Sequence, residues 1–307
     1  MVEKIKNIFY SNNFSRYLIW LAKYLYLKYT GGFYIKQRKN KKWLCKDGST
    51  IAVPIYKHND KIIYLESLIL IMQNFDLVAT GKVRISPNFI KIKINGVPLI
   101  FRRVDDLLLY FFRHELPGYL LYRDIKEHDV VVDAGAYHGG FCIYAAKKAK
   151  KGHIYCFEPD EKNRNILEAN IKLNKVKNVT VIGDVLLGKS GFINFYEIGS
   201  GVSSIFPTNQ YSPDIIQSKS AVSLAHFCIK YKIKKINFLK MDVEGAEYDI
   251  VLGSKFFIKD FVDYMAIASY HIIGGQKSYR LLEPLLHEIG FNTVTDYPKH
   301  LTTYAWK

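Results

Sequence analysis

The sequence predicts an α/β fold: a mostly parallel, doubly wound sheet that ends in an antiparallel hairpin, preceded by a small β-rich region and an N-terminal helix. Three observations predict it. From His128 onward, apolar segments of strand length alternate with segments of helical period. The β-branched run Val130 to Val132 leads through Asp133 into the glycine turn Gly135 to Gly140 and then directly into an apolar helix. The last two strand-like segments are joined only by Tyr297-Pro298-Lys299, too few residues for a crossover, so they must pair antiparallel.

In chain order, the expected strands of this sheet are 130–133, 153–157, 179–182, 236–242, 262–269, 291–296 and 301–306. The expected helices are 140–150, 160–173, 221–231, 246–252 and 278–289. Ahead of them, Trp43 to Cys45 and Thr50 to Ile55 flank Asp47-Gly48 as a hairpin, and Asn95-Gly96 joins 89–94 to 97–102 after a strand at 82–85. Asp105 caps a short helix to Arg113, and Pro117-Gly118 is expected to break the chain. The expected organisation is therefore 1–42 as an amphipathic helix and basic linker, 43–125 as a small β-rich lead-in, and 126–307 as the ligand-binding domain.

The 307 residues are 49% hydrophobic, enough for a substantial core. Cys45, Cys142, Cys156 and Cys228 form no Cys-x-x-Cys pair, which argues against a zinc site or disulfide framework and for a reducing, cytoplasmic setting. Residues 1–110 hold 19 Lys and Arg against 7 Asp and Glu, whereas the remainder holds 25 against 21. So polarised a charge fits an anionic partner for the N-terminal third, or else a lysine-rich solvated face. The first residues lack the apolar run of a signal peptide. Residues 14–29 carry Arg16, Lys23 and Lys28 and are too short to span a hydrocarbon core of about 30 Å. They suit a helix lying on anionic lipid, or one packed on the protein or a second copy, so peripheral membrane contact and a homo-oligomer both stay open.

In an open α/β sheet, ligands bind at the carboxyl ends of the strands beside the switch point. Asp133, Glu158, Asp184 and Asp242 end the first four expected strands of the domain. The Asp-x-Gly-x-x-x-Gly spacing is neither the dinucleotide Gly-x-Gly-x-x-Gly nor a phosphate loop. Glu158, 25 residues after Asp133, suits a carboxylate that accepts both hydroxyls of a ribose. That would serve NAD or S-adenosylmethionine; the glycine spacing and the terminal hairpin favour the latter. Asp184 either accepts from an adenine amino group or is a turn aspartate. Ser203 and Ser204 either cover the cofactor or are solvated.

The segment Phe-Leu-Lys-Met-Asp-Val-Glu-Gly-Ala-Glu at 238–247 resembles the FkbM family of S-adenosylmethionine-dependent O-methyltransferases. The resemblance extends through Val-Asp-Ala-Gly-Ala-Tyr-His-Gly-Gly-Phe, Phe-Glu-Pro-Asp, Ala-Asn-Ile-Lys-Leu-Asn and Gly-Val-Ser-Ser, and covers about residues 120 to 295. It implies a Rossmann-like class I methyltransferase sheet, S-adenosyl-L-methionine as cofactor, and a hydroxyl of a sugar, glycan or glycolipid as acceptor. The implied cofactor contacts are Asp133, Gly135, Ala136, Tyr137, Gly139, Phe141, Glu158, Pro159, Asp184 and Asp242. The chain departs from the family pattern at Tyr137-His138, where an asparagine is usual, at Ala225 in place of an aspartate, and at Ser269 in place of a glutamate two residues before His271.

Methylation of an aliphatic hydroxyl needs positioning, exclusion of water and a base. His271 is the expected base, with Asp242 and Glu244 as alternatives, either as bases or as oxygen ligands of a hard cation such as Mg²⁺. No Asn/Asp-Pro-Pro-Tyr/Phe follows the fourth strand, which disfavours amine methylation. RNA methylation ranks second: the N-terminal third is basic, but no RNA-binding module is recognisable in it. A cofactor-binding scaffold without catalysis ranks third.

Overall fold

The structure is a computed structural model. It describes residues 107–197, 203–206 and 215–307, and of the first 106 residues 21, 24–25, 28–29, 34–38, 41–46, 49–53, 69, 71–73, 83–85 and 88–102. The chain forms two compact units, Met1–Asp106 and Leu107–Lys307, so residues 107–125, expected in the lead-in, fold with the second.

In the first unit, Leu21, Tyr24, Leu25, Lys28 and Tyr29 are helical, with Leu25 and Tyr29 exposed one turn apart. Residues 14–20, the glycine pair 31–32 and the turn at 47–48 lie outside the described residues. Strands β1 (Tyr34–Arg38), β2 (Lys41–Lys46) and β3 (Ser49–Val53) form an antiparallel sheet, and β2 and β3 meet in the hairpin register Lys46↔Ser49. The described part of the basic stretch expected as linker thus lies on the paired strands β1 and β2. A second antiparallel sheet joins β4 (Val83–Ile85), β5 (Phe89–Ile94) and β6 (Val97–Arg102). Its tight turn has positive φ at both Asn95 and Gly96, the conformation a right-twisted hairpin requires.

The second unit opens on a continuous helical segment: α1 (Leu107–Tyr110), a π-turn (Phe111–Glu115) and α2 (Leu116–Tyr119). Pro117-Gly118 does not break it, because Pro117 sits in the first turn of α2, where an amide hydrogen has no helical acceptor. Asp105, the expected cap, lies outside the described residues.

The main sheet contains β7 (Val130–Ala134), β8 (His153–Phe157) and β9 (Val179–Ile182), with α3 (Gly140–Lys148) and α4 (Glu161–Asn174) as crossovers. Next come β10 (Val185–Leu187), β11 (Gly191–Glu197) and β12 (Ile215–Ser223), a separate three-stranded sheet that the sequence reading missed. It overturns part of the expected helix 221–231: Ala221 to Ser223 pair with β10. The Ser223 side chain accepts from the His226 N–H and starts α5 (Leu224–Lys230) there.

The chain then returns to the main sheet through β13 (Phe238–Met241), α6 (Glu247–Gly253), α7 (Lys255–Phe261) and β14 (Tyr264–Ala268). The small hairpin β15 (Ile272–Ile273) and β16 (Gln276–Lys277), then α8 (Tyr279–Glu288), lead to β17 (Asn292–Asp296) and β18 (Thr302–Trp306). Strand order is β17-β18-β14-β13-β7-β8-β9, parallel except at β18. This is the expected class I sheet with its antiparallel hairpin at one edge.

Val131, Val132, Leu239, Met241, Met265 and Ile267 are fully buried between the helical layers, each contributing about 1.5–3 kcal/mol. The strand order reverses between β7 and β13, so their carboxyl ends open a crevice. Among the described residues no helix is long and apolar enough to cross a membrane.

Candidate active site

The turn after β7 is folded tightly against its neighbours. The Gly135 and Ala136 N–H groups both donate to the Phe157 carbonyl, at 3.1 and 2.9 Å. Gly135 has φ +80°, and a Cβ there would run into the Asp242 carbonyl; the glycine is needed because the β7 and β13 loops touch. Tyr137 takes the left-handed conformation, φ +49°, which aims its N–H at Glu158 Oε2, 2.7 Å away. The Asp160 N–H donates to Oε1 at 3.0 Å. Two main-chain donors thus fix the carboxylate at the end of β8. Burial pushes Glu158 up to about 7 against the pull of those N–H groups.

Beside this turn lies a cavity of about 470 Å³, in the size range of small-molecule sites. Of the expected cofactor contacts, Gly135, Ala136, Tyr137, Phe141, Glu158, Pro159 and Asp242 line it. Gly139, Asp133 and Asp184 do not. Asp133 is wholly buried, with Lys240 Nζ 3.0 Å from its carboxylate, so it props the turn from behind. Asp184 stands outside the wall, to which its neighbours Val185 and Leu186 contribute. His138, where the chain departs from the family pattern, is buried off the wall; its ring stacks on Tyr137 with centroids 3.7 Å apart and its carbonyl accepts from Asn170. Ser203 and Ser204 both line the cavity, and Ser203 donates to Asp160 at 2.7 Å.

One stretch of the cavity wall is acidic. Glu115, Asp242, Glu244, Lys240 and Tyr270 form it. Asp242 Oδ2 accepts from the Tyr119 hydroxyl at 2.7 Å, and Oδ1 from that of Tyr270 at 3.3 Å. Burial works to raise the Asp242 pKa, but Lys240, His271, His300 and the Tyr119 hydrogen bond outweigh it and hold the group below its ordinary value. Burial pulls the Lys240 pKa down, but Asp133 and Asp242 outweigh it and hold it above the ordinary one. Glu115 is pushed up to about 7 by burial and by the neighbouring charge of Asp242.

His271 corrects the sequence reading. It lies off the cavity wall, with Nε2 3.9 Å from Asp242 and 3.7 Å from Glu244, and Nδ1 3.2 Å from Glu247. Burial opposes its charge, but these carboxylates, Glu247 foremost, push its pKa up to about 11. Three carboxylates stand around it and favour its protonated form, which works against service as a base. Ligand atoms of Asp242, Glu247 and His271 lie within 4.8 Å of one another. They do not fit magnesium, which demands octahedral oxygen ligands: His271 offers a ring nitrogen, and both Asp242 oxygens already accept from tyrosines.

Sequence reasoning missed Glu115, Tyr119, Lys240 and Tyr270. Only Lys240 and Tyr270 carried a signal, each lying beside a residue the motifs had marked. Glu115 and Tyr119 sit on a segment read as ending before Pro117. Its wall-facing residues Leu108, Phe111 and Glu115 follow helical spacing, and Phe111 packs where a Cβ on Gly140 would come within 2.7 Å. Gly140 therefore seats this helix on α3.

Residues 133–292, just over half of the chain, match the family model for the methyltransferase FkbM domain. "Methyltransferase 1" of Beauveria bassiana (strain ARSEF 2860) is 26% identical over 188 residues, 55% of this chain and 74% of that protein. Among solved structures, the methyltransferase FkbM from Methylobacillus flagellatus KT aligns with TM-score 0.45 and 14% identity over 79% of this chain, which spans 54% of that protein. Aeropyrum pernix fibrillarin, in complex with natively bound S-adenosyl-L-methionine, aligns with TM-score 0.42 and 12% identity, over 89% of this chain and 97% of its own.

Proposed function

The chain belongs to the FkbM family of S-adenosylmethionine-dependent methyltransferases, and from that premise we propose that it methylates a hydroxyl of a sugar, glycan or glycolipid. The observation that carries the acceptor class is the acidic stretch of the cavity wall. Glu115, Asp242 and Glu244 face it as hydrogen-bond acceptors, and Lys240 is committed to Asp133. Carboxylates accept from neutral sugar hydroxyls, whereas they repel the phosphates of RNA.

The residues present fit the cofactor. Gly135 stands on the wall without a side chain, and Glu158 is held by two N–H groups with lone pairs left for a ribose. Pro159, Val185, Leu186 and Ile205 give an apolar wall for a flat ring. When bound, S-adenosylmethionine supplies a methyl group on a good leaving group. The protein then has to orient the acceptor oxygen, exclude water and remove a proton. Asp242, steadied by Tyr119 and Tyr270, and Glu244 orient hydroxyls, while His271 fixes both carboxylates from behind. The donor set does not fit magnesium and no step uses it; addition of a chelator should leave activity unchanged.

Incubating polysaccharide, lipid and RNA fractions of the source cells with methyl-tritiated S-adenosylmethionine tests the acceptor. Label in glycan or glycolipid is expected; label in RNA alone would overturn the reading. Residues 14–29 would hold the enzyme at an anionic membrane carrying a glycolipid acceptor. Liposome flotation with and without residues 1–32 decides that, and equal flotation of both forms contradicts it.

A further inference from the structure

We propose that Glu115 is the base that takes the proton from the acceptor hydroxyl. This rests on the methyltransferase reading of the site and names the catalytic residue that the family motifs did not reveal.

The geometry selects Glu115 by what each other polar group on the acidic stretch is already doing. Asp242 has both oxygens engaged, one by Tyr119 at 2.7 Å and one by Tyr270 at 3.3 Å, and it faces His271 and His300 at 3.9 and 4.0 Å. A carboxylate so stabilised is a weak base. Glu244 has its Oε2 3.7 Å from the His271 imidazolium. His271 already carries its proton and lies off the wall. Lys240 is paired with Asp133 and donates to the Gly135 carbonyl at 2.7 Å. Tyr119 spends its hydroxyl on Asp242, and the Tyr270 phenol is raised far above its ordinary pKa by burial and the surrounding carboxylates. Among the described residues, Glu115 is the carboxylate of the wall that makes no hydrogen bond or ion pair.

Its placement is equally specific. Glu115 closes the π-turn Phe111–Glu115 in the helix that covers the glycine turn, and it shares the wall with Gly135 and Asp242. One extra residue in a helical turn shifts which side chains face a given neighbour, and such turns concentrate at functional sites. A Glu115 oxygen lies within 4.8 Å of Asp242 and of His300. Between them, Asp242 and Glu115 form the pairing that acid–base chemistry needs: one carboxylate kept ionised to orient, the other poised near neutrality to accept a proton.

The acceptor O–H bond breaks, its proton goes to a Glu115 oxygen, and its electron pair forms the new bond from oxygen to the methyl carbon. The bond from that carbon to sulfur breaks with its pair on sulfur. Glu115, partly open to solvent, then returns the proton to water.

The test compares full-length wild type, Glu115→Gln and Glu115→Asp. Carboxyl-¹³C-glutamate NMR with S-adenosylhomocysteine bound should show a resonance titrating near neutral pH that is missing from Glu115→Gln. Calorimetry should give S-adenosylhomocysteine affinities within twofold for all three proteins. With methyl-tritiated cofactor and the polysaccharide fraction as probe, Glu115→Gln should lose about 10²- to 10⁴-fold in turnover and lose the rise of wild-type rate through neutral pH. Glu115→Asp should recover part of the rate. Full turnover in Glu115→Gln, or the absence of a missing resonance, would overturn the assignment. If the wild type labels no fraction, the acceptor reading fails, and the NMR titration alone decides the role of Glu115.

Discussion

Around Glu158 the cavity wall is pinned by main chain; around Asp242 it is made of side chains that hold one another. Glu158 is fixed by two backbone N–H donors from residues 137 and 160, within one β-α-β passage. Asp242, by contrast, is fixed by Tyr119 from 123 residues earlier and Tyr270 from 28 later, while His271 binds three carboxylates from another loop. The first stretch is therefore rigid wherever the strands are rigid. The second depends on packing between four separated segments, so substitutions there should be felt as stability and as catalysis together.

This contrast breaks first at Gly135. Gly135→Ala places a Cβ against the Asp242 carbonyl at φ +80°, so the β7 and β13 loops cannot both keep their positions. We expect no folded protein, or folded protein without saturable S-adenosylmethionine binding by calorimetry. Normal affinity in the variant would show that the two loops are not in forced contact.

His271→Ala probes the other stretch. It leaves three carboxylates without their shared counter-charge, which should cost about 3–5 kcal/mol of unfolding free energy in a denaturant titration. The sign of the pH dependence follows from a folded pKa of about 11 against the ordinary 6.5. The stabilisation is complete below about pH 6.5 and is lost as pH rises through about 11. The gap between wild type and variant should close accordingly; a gap that widens in alkali contradicts the imidazolium.

Tyr119→Phe separates the two stretches more finely. It removes one hydrogen bond to a carboxylate, about 1.5–3 kcal/mol, and frees Asp242 to become a stronger base. Unfolding free energy should fall by that amount while cofactor affinity stays put. A parallel loss of affinity would mean that the two stretches are one cooperative unit.

How legible each stretch was follows from the same difference. The Val-Val-Asp-Ala-Gly turn, Glu158 and the terminal hairpin follow from local rules of strand period, glycine conformation and loop length, and the sheet formed where those rules put it. The Asp133 side chain shows their limit: the motif marks the residue, but only the register Lys240↔Asp133 between β13 and β7 reveals that it faces a buried ammonium and not the cavity. Glu115 and Tyr119 were invisible because Pro117-Gly118 reads as a break, whereas Pro117 falls in the first turn of α2 and Gly118 is covered by Tyr297, with its carbonyl accepting from Tyr304 at 2.6 Å. The surroundings of His271 were not legible because three carboxylates from the 242–247 loop converge on it, a fact of tertiary geometry. The β10–β12 sheet was missed, and it stands apart from the main sheet.

The smallest effect sharpens the main-chain stretch. Glu158 has a folded pKa of about 7 in the free protein, and a ribose would donate both hydroxyls to its ionised form. Binding of S-adenosylhomocysteine should therefore strengthen as pH rises from 6 to 8. One unit below the pKa about a tenth of the protein is ionised, so affinity there should be roughly tenfold weaker, about 1.4 kcal/mol. In Glu158→Gln this slope should vanish and leave a weaker, pH-independent affinity, whereas Glu115→Gln should keep the slope intact. The two carboxylates titrate in the same range for different reasons, burial under the turn for one and the charge of Asp242 added to burial for the other. A slope abolished by Glu115→Gln would place the ribose at the acidic stretch and reverse the orientation of the cofactor in the cavity.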